Sequence, residues 1–197
     1  MHYIKPIYDN HFPKQLGEYQ KGHMSYALSF VLKRKVAIDI GAHVGHWSYN
    51  LVQQFEEVHS FEPIPDNFLC LQKNVPEAKH YHCALNEIPG RFLLYLDGKE
   101  NSGSWTAFPK KRDIESILVE VKTLDSFEIK PNFIKIDAQE SELFILRGGI
   151  ETLKEHKPVL CLETKTNKFK NEIYQLLEPL GYYVAGSFVK EEIFVTN

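Results

Sequence analysis

Four acids stand where apolar runs end: Asp39 in Val36-Ala-Ile-Asp-Ile40, Glu62 after Val58-His-Ser-Phe61, Asp137 after Phe133-Ile-Lys-Ile136, and Glu163 closing Pro158-Val-Leu-Cys-Leu-Glu163. If the runs are parallel strands, these acids gather at the carboxyl edge of one sheet, where such sheets bind ligands. The sharpest of the four is Asp39, because Ile40-Gly-Ala-His-Val-Gly45 follows it. Gly41 lets the backbone come close to a ligand. The helix that Gly45 opens offers free N–H groups. Glu62 lies 23 residues beyond Asp39, the position of an acid that accepts two ribose hydroxyls at the end of a second strand.

The turn is not a dinucleotide fingerprint. Counted from Gly41, G-x-G-x-x-G needs glycines at 43 and 46, and the chain has His43 and His46. Asp39 would also repel a pyrophosphate. A ligand with an ammonium, a sulfonium and a ribose but no phosphate suits the pattern, which is the make-up of S-adenosyl-L-methionine. Asp137, at a strand end beside the expected switch point, is the first candidate for a general base toward a hydroxyl. His43 and His46 flank the same turn. Nine histidines supply no HxxxH on a clear helical face, and His80 and His82 give two ligands without a third, so no structural zinc is expected.

The elements that must carry these residues alternate in the first half. A strand over 36–40 precedes a helix bearing Trp47, Leu51, Val52 and Phe55. A strand over 58–62 precedes a helix capped by Asp66, and a third strand spans 80–85. That order predicts an α/β fold built on a parallel sheet. Strand-like runs over 91–96 and 117–121 flank a polar loop, 98–112. Strand 133–137 then leads to a helix bearing Leu143, Leu146, Ile150 and Leu153. Strand 158–163 leads to a helix face of Phe169, Ile173, Leu176 and Leu180 that stops at Gly181, and 182–195 reads as an antiparallel hairpin. Residues 1–35 read as an irregular arm with a short helix over 23–32, and residues 1–197 as one domain.

With 23 basic against 26 acidic residues, a net charge of −3 argues against a nucleic-acid binder. Three cysteines without a CxxC pair, no signal-peptide pattern and no apolar run long enough to span a bilayer lead us to expect buried thiols in a cytoplasmic protein.

Four segments together resemble the FkbM family of class I S-adenosylmethionine-dependent methyltransferases. They are residues 37–45, Ser60-Phe-Glu-Pro63 with Asn67, Thr123-Leu-Asp-Ser-Phe127 ahead of 133–137, and Glu142-Leu-Phe-Ile-Leu-Arg-Gly148 ahead of 158–163. The resemblance implies a Rossmann-like seven-stranded sheet with helices on both faces, mostly parallel with an antiparallel last strand. It implies that Asp39, Gly41, Ala42, His43 and Gly45 surround the methionine part of the cofactor, that Glu62 holds the ribose, and that Cys83 and Ala84 meet the adenine. One stretch departs from the family. Where the family has Asp-Val-Glu-Gly, the chain has Asp137-Ala-Gln-Glu140. Glu140 therefore joins Asp137 as a catalytic candidate, and a non-catalytic cofactor-binding or scaffold protein stands as the alternative.

The 98–112 loop is the expected substrate-facing element, with Ser104 and Trp105 as contacts and Lys110-Lys-Arg112 available to an anion. The arm, with Tyr19, Gln20 and His23, either covers the cofactor or packs on the sheet edge. By analogy with the family the substrate is a hydroxyl on a small molecule or saccharide, and the outcome O-methylation.

Overall fold

The apolar runs become strands because each can bury both faces once helices cover the sheet. A computed structural model describes residues 3–6, 15–97, 101–109, 114–164 and 168–197. In chain order the elements are α1 (Lys21–Leu28), β1 (Val36–Ile40), α2 (His46–Leu51), β2 (Glu57–Phe61), α3 (Pro65–Asn74), β3 (Lys79–Tyr81), β4 (Ala84–Leu85), β5 (Gly90–Leu96), β6 (Trp105–Thr106) and β7 (Ser116–Lys122). There follow β8 (Phe133–Ile136), α4 (Glu142–Arg147), α5 (Ile150–His156), β9 (Val159–Glu163), α6 (Lys170–Leu177), β10 (Tyr182–Ser187) and β11 (Glu191–Thr196).

Seven strands form one sheet in the order β3-β2-β1-β8-β9-β11-β10. All its pairings are parallel except those of β11, which runs antiparallel to both β9 and β10. This is the expected mostly parallel sheet with an antiparallel last strand. The chain leaves β1 toward β2 on one side, while β8 pairs with β1 on the other. The crevice at the β1 and β8 ends is therefore the topological switch point. Two apolar layers enclose the sheet. One gathers Ile38, Ile136, Leu143, Leu146, Leu160 and Ile173; the other gathers Leu28, Trp47, Leu51, Phe133 and Ile193.

Several sequence expectations need correction. The run 80–85 is two strands. β3 ends at Tyr81, Cys83 turns into the core, and β4 pairs instead with β7 in a second sheet of order β4-β7-β5-β6. Asp66 does not cap α3: Ile64 holds that position, Pro65 starts the helix, and Asp66 lies in its first turn, where an acid favours the helix dipole. The helix expected over 143–153 is two, broken at Gly148-Gly149. Asp125 starts the second from outside, its carboxylate accepting from the Glu151 and Thr152 N–H groups at 3.1 and 2.8 Å. Phe55 lies beyond the end of α2, yet still packs on Phe133. The three cysteines are free and buried, as expected.

Candidate functional site

Asp39, deep in β1, is fully buried. Its Oδ2 accepts a hydrogen bond from Ser48 Oγ at 2.6 Å, and Ser48 in turn meets Ser60 Oγ at 2.8 Å. Its register partner on β8 is Lys135, whose Nζ lies 3.3 Å from Asp39 Oδ1 and donates to the Gly41 carbonyl at 3.0 Å. Burial alone would discharge this lysine. The carboxylates of Asp39 and Asp137 outweigh it and raise the lysine pKa, so the ammonium stays charged. Asp39 thus orders the turn from behind, already paired, rather than waiting for a cationic ligand.

Gly41 leaves the strand with φ +75°, and a Cβ there would sit 2.0 Å from the Asp137 carbonyl oxygen. The glycine therefore lets the turn after β1 lie directly on the turn after β8. Gly45 has φ +101°, and its missing Cβ makes room for Val75 and Leu71 of α3, so its contribution is helix packing. Between them His43 also has a positive φ, 54°. Its N–H donates to Glu62 Oε2 at 2.8 Å, and its ring meets the buried Ser102 hydroxyl. Glu62 Oε1 accepts from the Ile64 N–H at 3.0 Å and from Asn67 Nδ2 at 3.4 Å. Burial raises the Glu62 pKa, while His43 and these donors oppose the rise.

Two clefts meet at this edge. The first, of about 650 Å³ counting its open mouth, runs past Gly41, Glu62, Cys83, Ala84, Leu94 and Trp105. The second, of about 730 Å³, runs past Ala42, Tyr19, His46, Lys135, Glu163 and Lys190. Gly41, His43, Gly103, Asp137 and Gln139 line both. Most of the expected cofactor contacts are therefore together at the first cleft or the join. Asp39 and Gly45 stand behind the wall.

The catalytic candidates separate. Asp137 is at the join, whereas Glu140 lines neither cleft. Gln139 and Glu140 both take positive φ, 49° and 72°, and this turns Glu140 away to an ion pair with Lys168 at 3.1 Å. Gln139 faces the clefts beside Asp137. Glu142 closes the turn by accepting from the Ala138 N–H at 2.8 Å, and burial pushes its pKa up to about 8.

The loop splits as well. Trp105 lines the first cleft. Ser104 spends its hydroxyl on the Asn101 carbonyl at 2.8 Å, and Asn101 and Gly103 reach the second cleft instead. Thr106 Oγ1 ties the loop to the Gln139 carbonyl at 3.1 Å. Lys110, Lys111 and Arg112 lie outside the described residues. The arm does two things: Tyr19 faces the second cleft, while Met24, Ala27 and Leu28 of α1 pack into the core.

Sequence reasoning assigned no role to Lys135 or Ser102. The signal for Lys135 was available, since a lysine inside an apolar run is rarely buried without a partner. Nothing local marked Ser102.

A model of the FkbM methyltransferase domain matches residues 39–184, most of the chain and all of the site's carboxylates. The chain belongs to the FkbM methyltransferase family. The family is one of methyltransferases and implies S-adenosylmethionine as methyl donor. Among solved structures, the methyltransferase FkbM of Methylobacillus flagellatus KT matches with 21% identity and a TM-score of 0.59, over 83% of this chain and 43% of that one. The chain thus spans less than half of that protein's length. Precorrin 8w decarboxylase of Methanobacterium thermoautotrophicum matches over 100% of this chain and 97% of that one, at 13% identity and TM-score 0.59. A TehB-like SAM-dependent methyltransferase of Corynebacterium glutamicum matches over 91% and 89%, at 11% identity and TM-score 0.51. At these identities the likeness is one of fold. A comparison with curated protein sequences finds no match. No described helix of this FkbM domain is long and apolar enough to cross a membrane.

The first cleft fits the donor. Its walls combine apolar side chains with the buried Glu62 carboxylate. Two buried polar atoms on its lining residues, Trp105 Nε1 and Asn67 Oδ1, have no partner among the described residues. A bound nucleoside would supply an acceptor for one and a donor for the other.

Proposed function

We propose that the enzyme O-methylates a hydroxyl on a small molecule or saccharide. In this proposal S-adenosylmethionine lies in the first cleft and the acceptor enters the second. The cofactor supplies a methyl group made electrophilic by its sulfonium. Glu62 receives the ribose hydroxyls, Cys83 and Ala84 flank the base, and the Gly41-Ala42-His43 turn borders the methionine part. Asp137 takes the hydroxyl proton as oxygen approaches the methyl. Alignment of oxygen, carbon and sulfur contributes the rest.

The observation that carries the proposal is that Asp137 lines both clefts, and does so where they join. A base there reaches a nucleophile in one cleft and a methyl group presented from the other. Calorimetric titration with S-adenosylhomocysteine tests the cofactor half. Glu62→Gln should weaken binding about ten- to hundredfold, since hydrogen bonds to a charged group are worth ~1.5–3 kcal/mol. Transfer of a labelled methyl group to hydroxylated small molecules and saccharides tests the acceptor half. Unchanged affinity in Glu62→Gln refutes the ribose assignment. Tight cofactor binding with no label transferred to any hydroxyl acceptor refutes O-methylation.

A further inference from the structure

Asp137 follows β8 and Glu163 ends β9. Ile136 and Leu162 are register partners, so the next residues along the two strands are Asp137 and Glu163. Neighbouring strands lie ~4.8 Å apart, so the Asp137 charge acts on Glu163 and raises its pKa. Both line the second cleft. Two carboxylates on adjacent strand ends cannot both stay ionised cheaply unless a cation or a proton lies between them.

The cations nearby are largely committed. Lys135 serves Asp39 from β8, and Lys190, from the β10–β11 turn, is 3.4 Å from Glu163 but more than half exposed. Other described titratable groups stand around the pair. Glu191 pairs in register with Glu163 from β11, and His23 of α1 lies 3.1 Å from the Glu191 carboxylate. Glu142 approaches from α4 and the Tyr19 phenol from the arm. His43 and His46 border the cleft from the turn after β1.

Given methyl transfer to a hydroxyl in the second cleft, as proposed above, we infer that Asp137 and Glu163 act as one proton-sharing base. Asp137 is the catalytic member and Glu163 the positioning residue that holds the proton after transfer. The acceptor O–H proton passes to Asp137 while the oxygen forms its bond to the methyl carbon. The carbon–sulfur bond breaks with its electron pair left on sulfur, so the sulfonium becomes a neutral thioether. The proton is then shared with Glu163, whose carboxylate is partly open to water beside Lys190, and leaves there.

Burial and the Asp137 charge push the Glu163 pKa up to about 7, so the shared proton exchanges near neutral pH. Below that value Glu163 already holds a proton and cannot take on the one that Asp137 receives. Above it the pair carries its full negative charge, which also favours the cationic donor over its neutral product.

Carboxyl NMR titration of the wild-type enzyme tests the pair without any acceptor. Glu163 should titrate near neutrality and move down toward the ordinary carboxylate range in Asp137→Asn. An ordinary Glu163 titration in the wild type, or one that Asp137→Asn leaves unmoved, overturns the pair. Calorimetry tests its consequence. The affinity ratio of S-adenosylmethionine to S-adenosylhomocysteine should rise about tenfold, or ~1.4 kcal/mol, from roughly pH 6 to roughly pH 8. Glu163→Gln should flatten that rise and Glu163→Asp should keep it, which a merely structural role would not do. A flat wild-type ratio also overturns the inference. Failure to bind either nucleoside is a different result, since it removes the functional proposal itself whatever the carboxyl titration shows.

Discussion

The two turns that meet at the switch point are built in opposite ways. After β1, positive φ falls on glycine at both ends of the turn and on His43 between them, and the polar groups behind it are closed in pairs: Asp39 with Ser48 and Lys135, Glu62 with the His43 and Ile64 N–H groups. After β8, positive φ falls on Gln139 and Glu140, side chains that disfavour it. The second turn is held from outside, by Glu142 on the Ala138 N–H and by Thr106 on the Gln139 carbonyl. The contrast suggests a division of labour. The turn after β1 is prepaired and takes most of its positive φ on glycine, whereas the turn after β8 takes its positive φ on two successive residues with side chains and so stores more backbone strain, as functional turns often do.

Lys135 is the bridge between the two turns, and its removal should have the largest effect. Lys135→Met keeps an apolar stem but leaves Asp39 buried without its ion-pair partner. Breaking a buried pair in this way costs ~3–5 kcal/mol. Chemical denaturation should show that loss, with part of it recovered in Lys135→Met/Asp39→Asn. A loss under ~1 kcal/mol would mean that the turn after β1 does not depend on this charge pair.

Gly41→Ala probes where the turns touch. The new Cβ would meet the Asp137 carbonyl at 2.0 Å, a backbone atom that moves only if the second turn moves. Left-handed strain and overpacking together predict a loss of about 3 kcal/mol. Gly45→Ala meets flexible side chains of Val75 and Leu71 instead, so it should leave S-adenosylhomocysteine affinity nearer to wild type than Gly41→Ala does. Equal effects on affinity would erase the distinction drawn between a contact glycine and a packing glycine.

The same contrast explains what the sequence made legible. The turn after β1 is local: strand, glycines and helix follow within ten residues, and the next acid is one unit on. Spacing alone therefore picked out Asp39, Gly41, Gly45 and Glu62, of which Gly41 and Glu62 line the clefts. Lys135 was hidden because its meaning lies in a partner 96 positions away, visible only once β1 and β8 pair. The second sheet was hidden for the same reason, since β4 finds its partner in β7 and not in the strand before it. Ser102 acquires a role only when the loop folds onto His43. Glu140 misled because moving an acid by one position seems a small change along a sequence. In a turn with two successive positive φ values it sends the carboxylate to Lys168 and leaves an amide at the cleft.

Glu140 offers the smallest but most specific measurement. Replacing it removes an ion pair that is partly exposed on both sides, worth ~0–1 kcal/mol. Glu140→Ala loses that pair and keeps the strained backbone. Glu140→Gly loses the same pair and relieves the strain, at the cost of greater freedom in the unfolded chain. The ion pair cancels between the two variants, so their difference isolates the backbone term. Left-handed strain of ~1–2 kcal/mol less the glycine entropy cost of ~0.5–1 kcal/mol predicts that the glycine variant is the more stable by about 0.5–1 kcal/mol. Equal stability, or a less stable glycine variant, would show that the turn after β8 stores no such strain. Because Glu140 faces Lys168 and not the clefts, neither variant should alter S-adenosylhomocysteine affinity by more than about twofold, well under the 1.4 kcal/mol of a tenfold change.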